Sequence, residues 1–255
     1  MKIALIQTKQ NELYNFINPN TSFSRERALE LQNEMLEQFF TLANRLETDC
    51  DLIVTSEAIN FCGEGYALPG EYASYIPGYP EDEIFARLGK VAAKKGAWLV
   101  AGVYNRRITQ DGEQKCYNSA VIYNRQGELV ALYDKIHLTD GEKENLTAGS
   151  SAVVVETDMG KMGVAICFDM QFPDVCRKCK EKGAKFMAVP TWGWESSYGY
   201  QRIQEIQIPV IETMAVPYWM EIEGERRPSA VIDQNCRILA EGSRDKAEII
   251  YGWIY

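Results

Sequence analysis

The sequence predicts an α/β protein made of two mixed β-sheets packed face to face, with helices on the outer surfaces. In the first hundred residues, buried strand patterns alternate with amphipathic helix patterns, as in α/β folds. Two hairpin patterns then interrupt the alternation, so mixed sheets fit better than one parallel sheet. We find no repeat, linker or low-complexity segment, and we therefore expect a single domain over residues 1–255.

The first predicted elements are strand, helix, strand and helix. An apolar strand covers residues 1–7, and a buried strand covers residues 51–56. Between them lies a long amphipathic helix, whose apolar residues recur at steps of three and four: Ala28, Leu31, Met35, Phe39, Leu42 and Leu46. A second helix runs from about residue 81 to 95 and ends at Gly96, because glycine readily takes the left-handed conformation that follows many helices.

The middle of the chain predicts a strand over 98–104 and two hairpins. The first hairpin joins residues 119–124 to 128–133, and the second turns at 158–160 from residues 152–157 into a strand that ends at Cys167. The remaining predicted elements are a helix from about 173 to Gly183, a buried strand over 185–190, a helix near 200–208, an apolar segment over 214–219, a hairpin turning at 234–235 and a closing strand over 248–255.

Composition and charge exclude several classes of partner. The chain has 36 acidic and 27 basic residues, a net charge of −9 and no basic run, so binding to nucleic acid or anionic membranes is disfavoured. No segment has the roughly 20 apolar residues of a membrane span. The first strand turns polar at Gln7 and Lys9, too soon for an export signal, and we expect a cytoplasmic protein.

The cysteines indicate free thiols. The sequence has seven, at irregular spacing, which does not suggest a disulfide framework in the cytoplasm. Cys176 and Cys179 form one C-x-x-C, but a zinc site needs further ligands and no second such pair exists. We interpret them as two small side chains on a helix and expect no metal; a redox-active thiol pair is the distant alternative.

Three ionisable residues each follow a predicted strand: Glu57, Lys135 and Cys167. A carboxylate, an ammonium and a thiol supply the base, the cation and the nucleophile that acyl transfer requires. We expect Lys135 to favour the thiolate of Cys167, and the backbone N–H of Phe168 to face the developing oxyanion. Taken singly, each residue also has a structural interpretation, since cysteine is often buried and Glu57 and Lys135 could form an ordinary ion pair.

His137 is the only histidine and therefore the alternative base for a cysteine nucleophile. It lies two positions after Lys135. In a continuing strand the two side chains would share a face and compete for one site. We therefore favour a carboxylate base over His137.

Three motifs together resemble the nitrilase superfamily of carbon–nitrogen hydrolases. They are Thr55-Ser-Glu57, Tyr133-Asp-Lys-Ile-His-Leu138 and Gly163-Val-Ala-Ile-Cys-Phe-Asp-Met-Gln-Phe-Pro173, in the family's order. The resemblance implies an αββα sandwich, a homodimer or higher homo-oligomer, and no cofactor. It assigns Cys167 as nucleophile, Glu57 as base and Lys135 as the cation for the tetrahedral intermediate. It also implies a second glutamate, for which Glu142 fits better than Glu144.

The substrate is less well defined by the sequence. The loop after the strand at 185–190 contains Trp192, Trp194, Glu195 and Tyr198, which either line the pocket or cover the core. Phe61 and Tyr66 are weaker candidates for the same apolar wall. If Glu195 receives a cationic end, amine-terminated compounds are better substrates than acids.

We predict hydrolysis of a small linear amide or N-carbamoyl compound through a thioester. A nitrilase is the close alternative, and an inactive ligand-binding or scaffold member is the alternative from another class. Departures from the family pattern at Gln171, Pro209 and Thr213 leave the last of these open.

Overall fold

Two six-stranded β-sheets form the centre of the protein. The computed structural model describes residues 1–13, 22–60, 70–192, 196–217 and 227–255. The strands of the first sheet, in spatial order, are β12 (Glu248–Trp253), β1 (Lys2–Gln7), β2 (Leu52–Thr55), β3 (Trp98–Ile108), β4 (Gln114–Tyr123) and β5 (Leu129–Asp134). The β1–β2 and β2–β3 pairs are parallel and the other three are antiparallel, so the sheet is mixed.

The second sheet repeats this scheme. Its strands, in spatial order, are β6 (Val154–Thr157), β7 (Gly160–Val164), β8 (Phe186–Thr191), β9 (Val210–Met214), β10 (Ala230–Ile232) and β11 (Ile238–Glu241). The β7–β8 and β8–β9 pairs are parallel, and the others are antiparallel. The carboxyl ends of β2 and β7 therefore belong to different sheets.

Helices cover both outer surfaces. The described helices are α1 (Arg25–Arg45), α2 (Glu83–Lys95), the short α3 (Asp140–Lys143), α4 (Pro173–Glu181) and α5 (Ser196–Ile206). In β1, Ala4 and Ile6 pack with residues of α1 and α2, whereas Ile3 and Leu5 pack in the core shared with the second sheet. This alternation gives each strand one face toward the helices and one toward the other sheet. The predicted arrangement of two mixed sheets with helices outside is confirmed.

Local signals set the ends of α1 and α2, and the stop at Gly96 was predicted from the sequence. Ser24 accepts a hydrogen bond from Arg27 N at the start of α1, and Asp82 accepts one from Ile84 N at the start of α2. Gly96 ends α2 with a φ of 62°, in the left-handed region. The buried Lys95 donates to the carbonyls of Asn44 and Leu46 at the end of α1, which joins the two helices. None of the described helices is long and apolar enough to cross a membrane.

Some predicted boundaries were wrong. The strand expected to reach Cys167 ends at Val164, because Ile166 N donates to the Asp169 carboxylate and not to a neighbouring strand. The helix expected near 200–208 spans Ser196–Ile206. Gln207 has a φ of 53°, and Pro209 disfavours a helical conformation in the residue before it, so the helix cannot continue. In the apolar segment predicted over 214–219, β9 ends at Met214, and residues 218 and 219 lie outside the described residues.

Candidate active site

Glu57 lies two residues past the end of β2, at the junction of the two sheets. Its backbone N–H donates to Thr191 O of the second sheet at 3.3 Å. The next residue, Ala58, has a φ of 50°, an uncommon conformation for a residue with a side chain, and such strain is often found at functional sites. This turn directs the Glu57 side chain into the interior, where it is 6% exposed.

Lys135 is held by its backbone and by its ammonium. Its N–H donates to Asn118 O at 2.9 Å, and its carbonyl accepts from Gly149 N at 2.8 Å. The side chain is 2% exposed, and Nζ lies 2.8 Å from Glu57 Oε1 and 2.8 Å from Glu142 Oε2. Burial alone lowers the pKa of Lys135, but the charges of Glu57 and Glu142 outweigh it and hold the pKa above its ordinary value. The ammonium therefore stays charged, as a cation and not a base.

Glu142 lies in α3, and a capping box fixes its position. Thr139 Oγ1 accepts from Glu142 N, and Glu142 Oε2 accepts from Thr139 N at 2.9 Å. Burial raises the pKa of the Glu142 carboxyl, yet the Lys135 ammonium and hydrogen bonds lower it overall. Glu144, the other candidate, is exposed. The structure thus brings Glu142, and not Glu144, to Lys135.

Cys167 begins a 3₁₀ turn, Cys167–Gln171, after β7, with a φ of 43°. Its thiol interacts with the Thr191 side chain and the backbone of Trp192. Burial raises the pKa of the Cys167 thiol to about 12, and the Glu57 charge adds to this increase. Lys135 acts in the opposite direction but is outweighed. Lys135 therefore favours the thiolate, as expected, but burial and the Glu57 charge favour the neutral thiol more strongly.

Asp169, which the sequence analysis gave no role, joins the cysteine turn to the lysine segment. Its buried carboxylate accepts from Tyr133 Oη at 2.7 Å, His137 N at 2.8 Å and Ile166 N at 2.9 Å. Tyr133 belongs to the first sheet and Ile166 follows β7 of the second. Burial raises the pKa of Asp169 above its ordinary value, although these hydrogen bonds oppose the shift. Its place within the cysteine motif was the available signal.

His137 has other partners than the catalytic candidates. Its Nε2 lies 2.7 Å from Asp174 Oδ1, and its ring stacks on Phe172 with centroids 4.0 Å apart. The strand-face argument applied to Lys135 and His137 was wrong, because β5 ends at Asp134 and both residues lie beyond it. The side chain of Lys135 instead points to Glu57 and Glu142.

Asn118 is a second residue that the sequence analysis missed. This residue of β4 is 1% exposed. Its Nδ2 donates to Glu57 Oε1 at 2.7 Å and to Glu142 Oε1 at 2.8 Å. A buried polar residue within an apolar strand pattern was the available signal, because such groups normally have a hydrogen-bonding role.

The predicted pocket residues are only partly described. Trp192 and Phe168 are half-buried, and Phe168 lies edge-on to Phe172 at 5.3 Å. Tyr198 in α5 is exposed. Phe61, Tyr66, Trp194 and Glu195 lie outside the described residues.

The positions that depart from the family pattern are spread over the second sheet and its connections. Gln171 ends the 3₁₀ turn, and Thr213 is buried in β9. Pro209 O accepts from Met187 N, near the end of β8 that is remote from Thr191. Among the described residues, no cluster of His, Cys, Asp and Glu is suited to hold a metal ion.

The C-x-x-C cysteines lie on a helix, as interpreted from the sequence. Cys176 and Cys179 are both buried in α4. Cys176 Sγ lies 3.5 Å from Met170 Sδ, and Cys179 Sγ contacts backbone carbonyls. The pair therefore packs against the core.

The chain is similar to known proteins over nearly its whole length. The family model for carbon–nitrogen hydrolases matches residues 2–254. The 2-oxoglutaramate amidase of Paenarthrobacter nicotinovorans is 29% identical over 181 residues, which cover 66% of this chain and 61% of that protein. The chain thus spans less than two thirds of this curated relative.

Solved structures show the same fold. Saccharomyces cerevisiae Nit3, a member of branch 10 of the nitrilase superfamily, is 24% identical with a TM-score of 0.69, and the match covers 99% of this chain and 89% of that one. A mutant of the amidase from Nesterenkonia sp. AN1 is 20% identical with a TM-score of 0.71, over 100% of this chain and 93% of that one. The sandwich is therefore that of the nitrilase superfamily, and the chain belongs to the carbon–nitrogen hydrolase family.

Proposed function

We propose that the protein is a thiol hydrolase that cleaves the non-peptide C–N bond of a small linear amide or N-carbamoyl compound through a thioester on Cys167. The observation that supports this most directly is that Glu57 and Glu142 differ in how many of their carboxylate oxygens accept hydrogen bonds. Both oxygens of Glu142 accept hydrogen bonds. In Glu57, Oε1 accepts from Lys135 and Asn118, whereas Oε2 has no hydrogen-bond partner among the described residues. Glu57 Oε2 is therefore the oxygen left to accept the thiol proton.

The proposed reaction begins with the neutral thiol. Sγ attacks the amide carbon while its proton passes to Glu57 Oε2, and the carbonyl electron pair moves to oxygen. The Lys135 charge and the N–H of Phe168 stabilise this oxyanion. The intermediate then releases ammonia or an amine, which takes the proton from Glu57, and the thioester remains. Water, deprotonated by Glu57, hydrolyses the thioester to a carboxylic acid and restores the thiol.

The names of related proteins support an amide substrate. The curated relative is a 2-oxoglutaramate amidase. The Nesterenkonia amidase structure holds the Michael adduct of acrylamide on its active-site cysteine. A single domain over residues 1–255 is supported by the family match and by the pairing of β1 with β12, from opposite ends of the chain. Cytoplasmic location, self-association and absence of a cofactor stay predictions.

Trapping of the thioester tests the proposal. Wild type, Glu57→Gln, Glu142→Ala, Cys167→Ala and Cys236→Ala are incubated with amides of varied chain length and end charge, together with matching nitriles. We expect ammonia release from wild type and Cys236→Ala, and none from Cys167→Ala. An acyl mass on Cys167 should appear in Glu142→Ala, which keeps the Glu57 base, and not in Glu57→Gln. Cys236 is the matched control because it is, like Cys167, a half-buried cysteine.

Two results would contradict the proposal. Ammonia release by Cys167→Ala at the wild-type rate would remove the nucleophile, and equal labelling of Cys167 and Cys236 without turnover would favour an inactive scaffold. Turnover restricted to nitriles, with a thioimidate mass, would replace the amidase by the nitrilase alternative.

A further inference from the structure

The Asn118 side chain binds both carboxylates of the site, Glu57 and Glu142. Its Nδ2 lies 2.7 Å from Glu57 Oε1 and 2.8 Å from Glu142 Oε1. Lys135 Nζ lies 2.8 Å and 2.9 Å from the same two oxygens. Two donors and two acceptors thus form a closed ring. The backbone carbonyl of Asn118 also accepts from Lys135 N, so the same residue fixes the main chain beside the ammonium.

Chemistry determines which way the Asn118 amide faces. Ionised carboxylates only accept hydrogen bonds, so the amide nitrogen, and not the oxygen, must face Glu57 and Glu142. The amide oxygen is buried and has no hydrogen-bond partner within the described ranges. Both N–H groups of the amide are therefore directed at the two carboxylates, at the expense of an unpaired oxygen.

The ring of hydrogen bonds formed by Asn118, Lys135 and the two glutamates fixes the orientation of the Glu57 carboxylate. With Oε1 bound by both Lys135 and Asn118, rotation of the carboxyl group would break two charge-assisted hydrogen bonds. Oε2 is consequently held away from the ring and has no hydrogen-bond partner in the part of the chain that the structure describes. A lysine alone could hold a carboxylate in several orientations, whereas two donors on one oxygen select one of them.

We propose that Asn118 is a positioning residue that holds Glu57 Oε1 and thereby directs the other carboxylate oxygen, Oε2, toward the thiol of Cys167. This inference rests on the proposed function, in which Glu57 is the base. The charged and titratable groups that face Glu57 from the described elements are Lys135, Glu142 and Cys167. The Asn118 side chain donates a hydrogen bond but carries no charge. Its replacement by an apolar residue therefore removes the hydrogen bond and leaves the net charge of the site unchanged.

Alkylation of Cys167 by iodoacetamide measures this role without any substrate. The rate on Cys167 is followed by peptide mass spectrometry between pH 4 and 9 in wild type, Asn118→Leu, Asn118→Ser and Asn118→Asp. We expect the wild-type alkylation rate to rise with pH in the acidic range, because a carboxylate can accept the thiol proton only when it is ionised. This rise is the acidic limb of the pH–rate profile. In Asn118→Leu the limb moves to higher pH, because a carboxylate that loses a hydrogen-bond donor is ionised less readily. Asn118→Asp moves it further, and Asn118→Ser, which keeps one small donor, less.

Amide turnover gives the second readout. We expect kcat to fall roughly 10- to 100-fold in Asn118→Leu with little change in KM, the range for a hydrogen bond to a charged group. The matched control is Asn105→Leu. Asn105 is equally buried on the adjacent β3, and its Nδ2 donates to Ser119 Oγ and not to a carboxylate. The Asn105→Leu protein should lose about as much folding stability as Asn118→Leu, while the acidic limb of its alkylation rate stays at the wild-type pH.

The possible failures are distinguishable. The role of Asn118 alone would be overturned if the acidic limb stayed at the wild-type pH in both Asn118→Leu and the better-tolerated Asn118→Ser. A limb displaced equally by Asn105→Leu would reduce that role to general packing and overturn it too. A wild type whose Cys167 reacts without any acidic limb would instead overturn Glu57 as base, and with it this inference.

Discussion

The two sheets share one pairing scheme, but their ends at the active site differ in chemistry. The first sheet and its connections supply Glu57, Lys135 and Asn118, which hydrogen-bond one another. The second sheet leads into Cys167, which begins the 3₁₀ turn after β7 with a φ of 43°. One half therefore holds the charges, and the other holds the nucleophile.

Because of this division, we expect activity to depend on how the two sheets are aligned with each other. The polar ring can form within the first sheet whether or not the thiol is correctly placed. The thiol becomes useful only where Glu57 Oε2 can reach it, and a misplacement of about 1 Å can cost roughly 100-fold in rate. Mutations that remove contacts between the two sheets at this edge should therefore lower activity, even where the mutated residue does not touch the substrate.

The largest effect is expected for Asp169→Ala, which removes the buried connection between the halves. Tyr133 Oη, His137 N and Ile166 N would each lose their acceptor, and a buried unsatisfied donor costs about 1–3 kcal/mol. We expect the free energy of unfolding to fall by about 3–5 kcal/mol and kcat to fall at least about 100-fold. Urea denaturation and turnover at low temperature measure both.

Tyr133→Phe is the control for this change, since it removes only one of the three hydrogen bonds. It should destabilise by about 1 kcal/mol and keep most of the activity. An Asp169→Ala protein with near-wild-type stability and turnover would show that the halves are aligned by the apolar core alone.

A smaller effect is expected at Gly102 of β3, which lies against the Glu57 turn and Pro190 of β8. A Cβ added there would lie 2.7 Å from Ser56 O, 2.8 Å from Glu57 Cα and 3.0 Å from Pro190 Cβ. These are mostly backbone atoms, so the strands must move, and overpacking of this kind typically costs about 1–3 kcal/mol. Gly102→Ala should lower both unfolding free energy and kcat, because Glu57 is displaced.

Gly78→Ala is the matched control for Gly102→Ala. Its added Cβ would meet only the end of the Arg106 side chain, at 3.7 Å. Thermal denaturation should separate the two variants, and equal stability and turnover would contradict a close approach of the sheets at Gly102.

Much of the fold could be predicted from local patterns, because apolar period and turn residues determine most elements directly. The apolar run of β1 and the helix stop at Gly96 are examples. Pairing between distant segments could not be predicted in this way. β1 pairs with β12, from the other end of the chain, and no local signal specifies this partner.

The candidate site shows the same division between local and non-local information. The motifs of Glu57, Lys135 and Cys167 were visible because each follows an apolar run. Asn118 was not, because its role depends on the register that sets it opposite Tyr104 and beside the lysine segment. The net pKa shift of Cys167 could not be predicted either, because the burial that outweighs Lys135 is a property of the folded sandwich.

The smallest effect is expected for His137→Gln, which changes a partly exposed contact between the halves. His137 Nε2 lies 2.7 Å from Asp174 Oδ1 in α4, and both side chains are partly exposed to solvent. A polar contact that solvent reaches contributes about 0–1 kcal/mol, so we expect a loss of at most about 1 kcal/mol in unfolding free energy. Turnover should stay within a few-fold of wild type at every pH between 5 and 9. Because His137 is the only histidine, a large loss of kcat, or a lost pH limb near neutrality, would restore it as the base and remove Glu57 from that role.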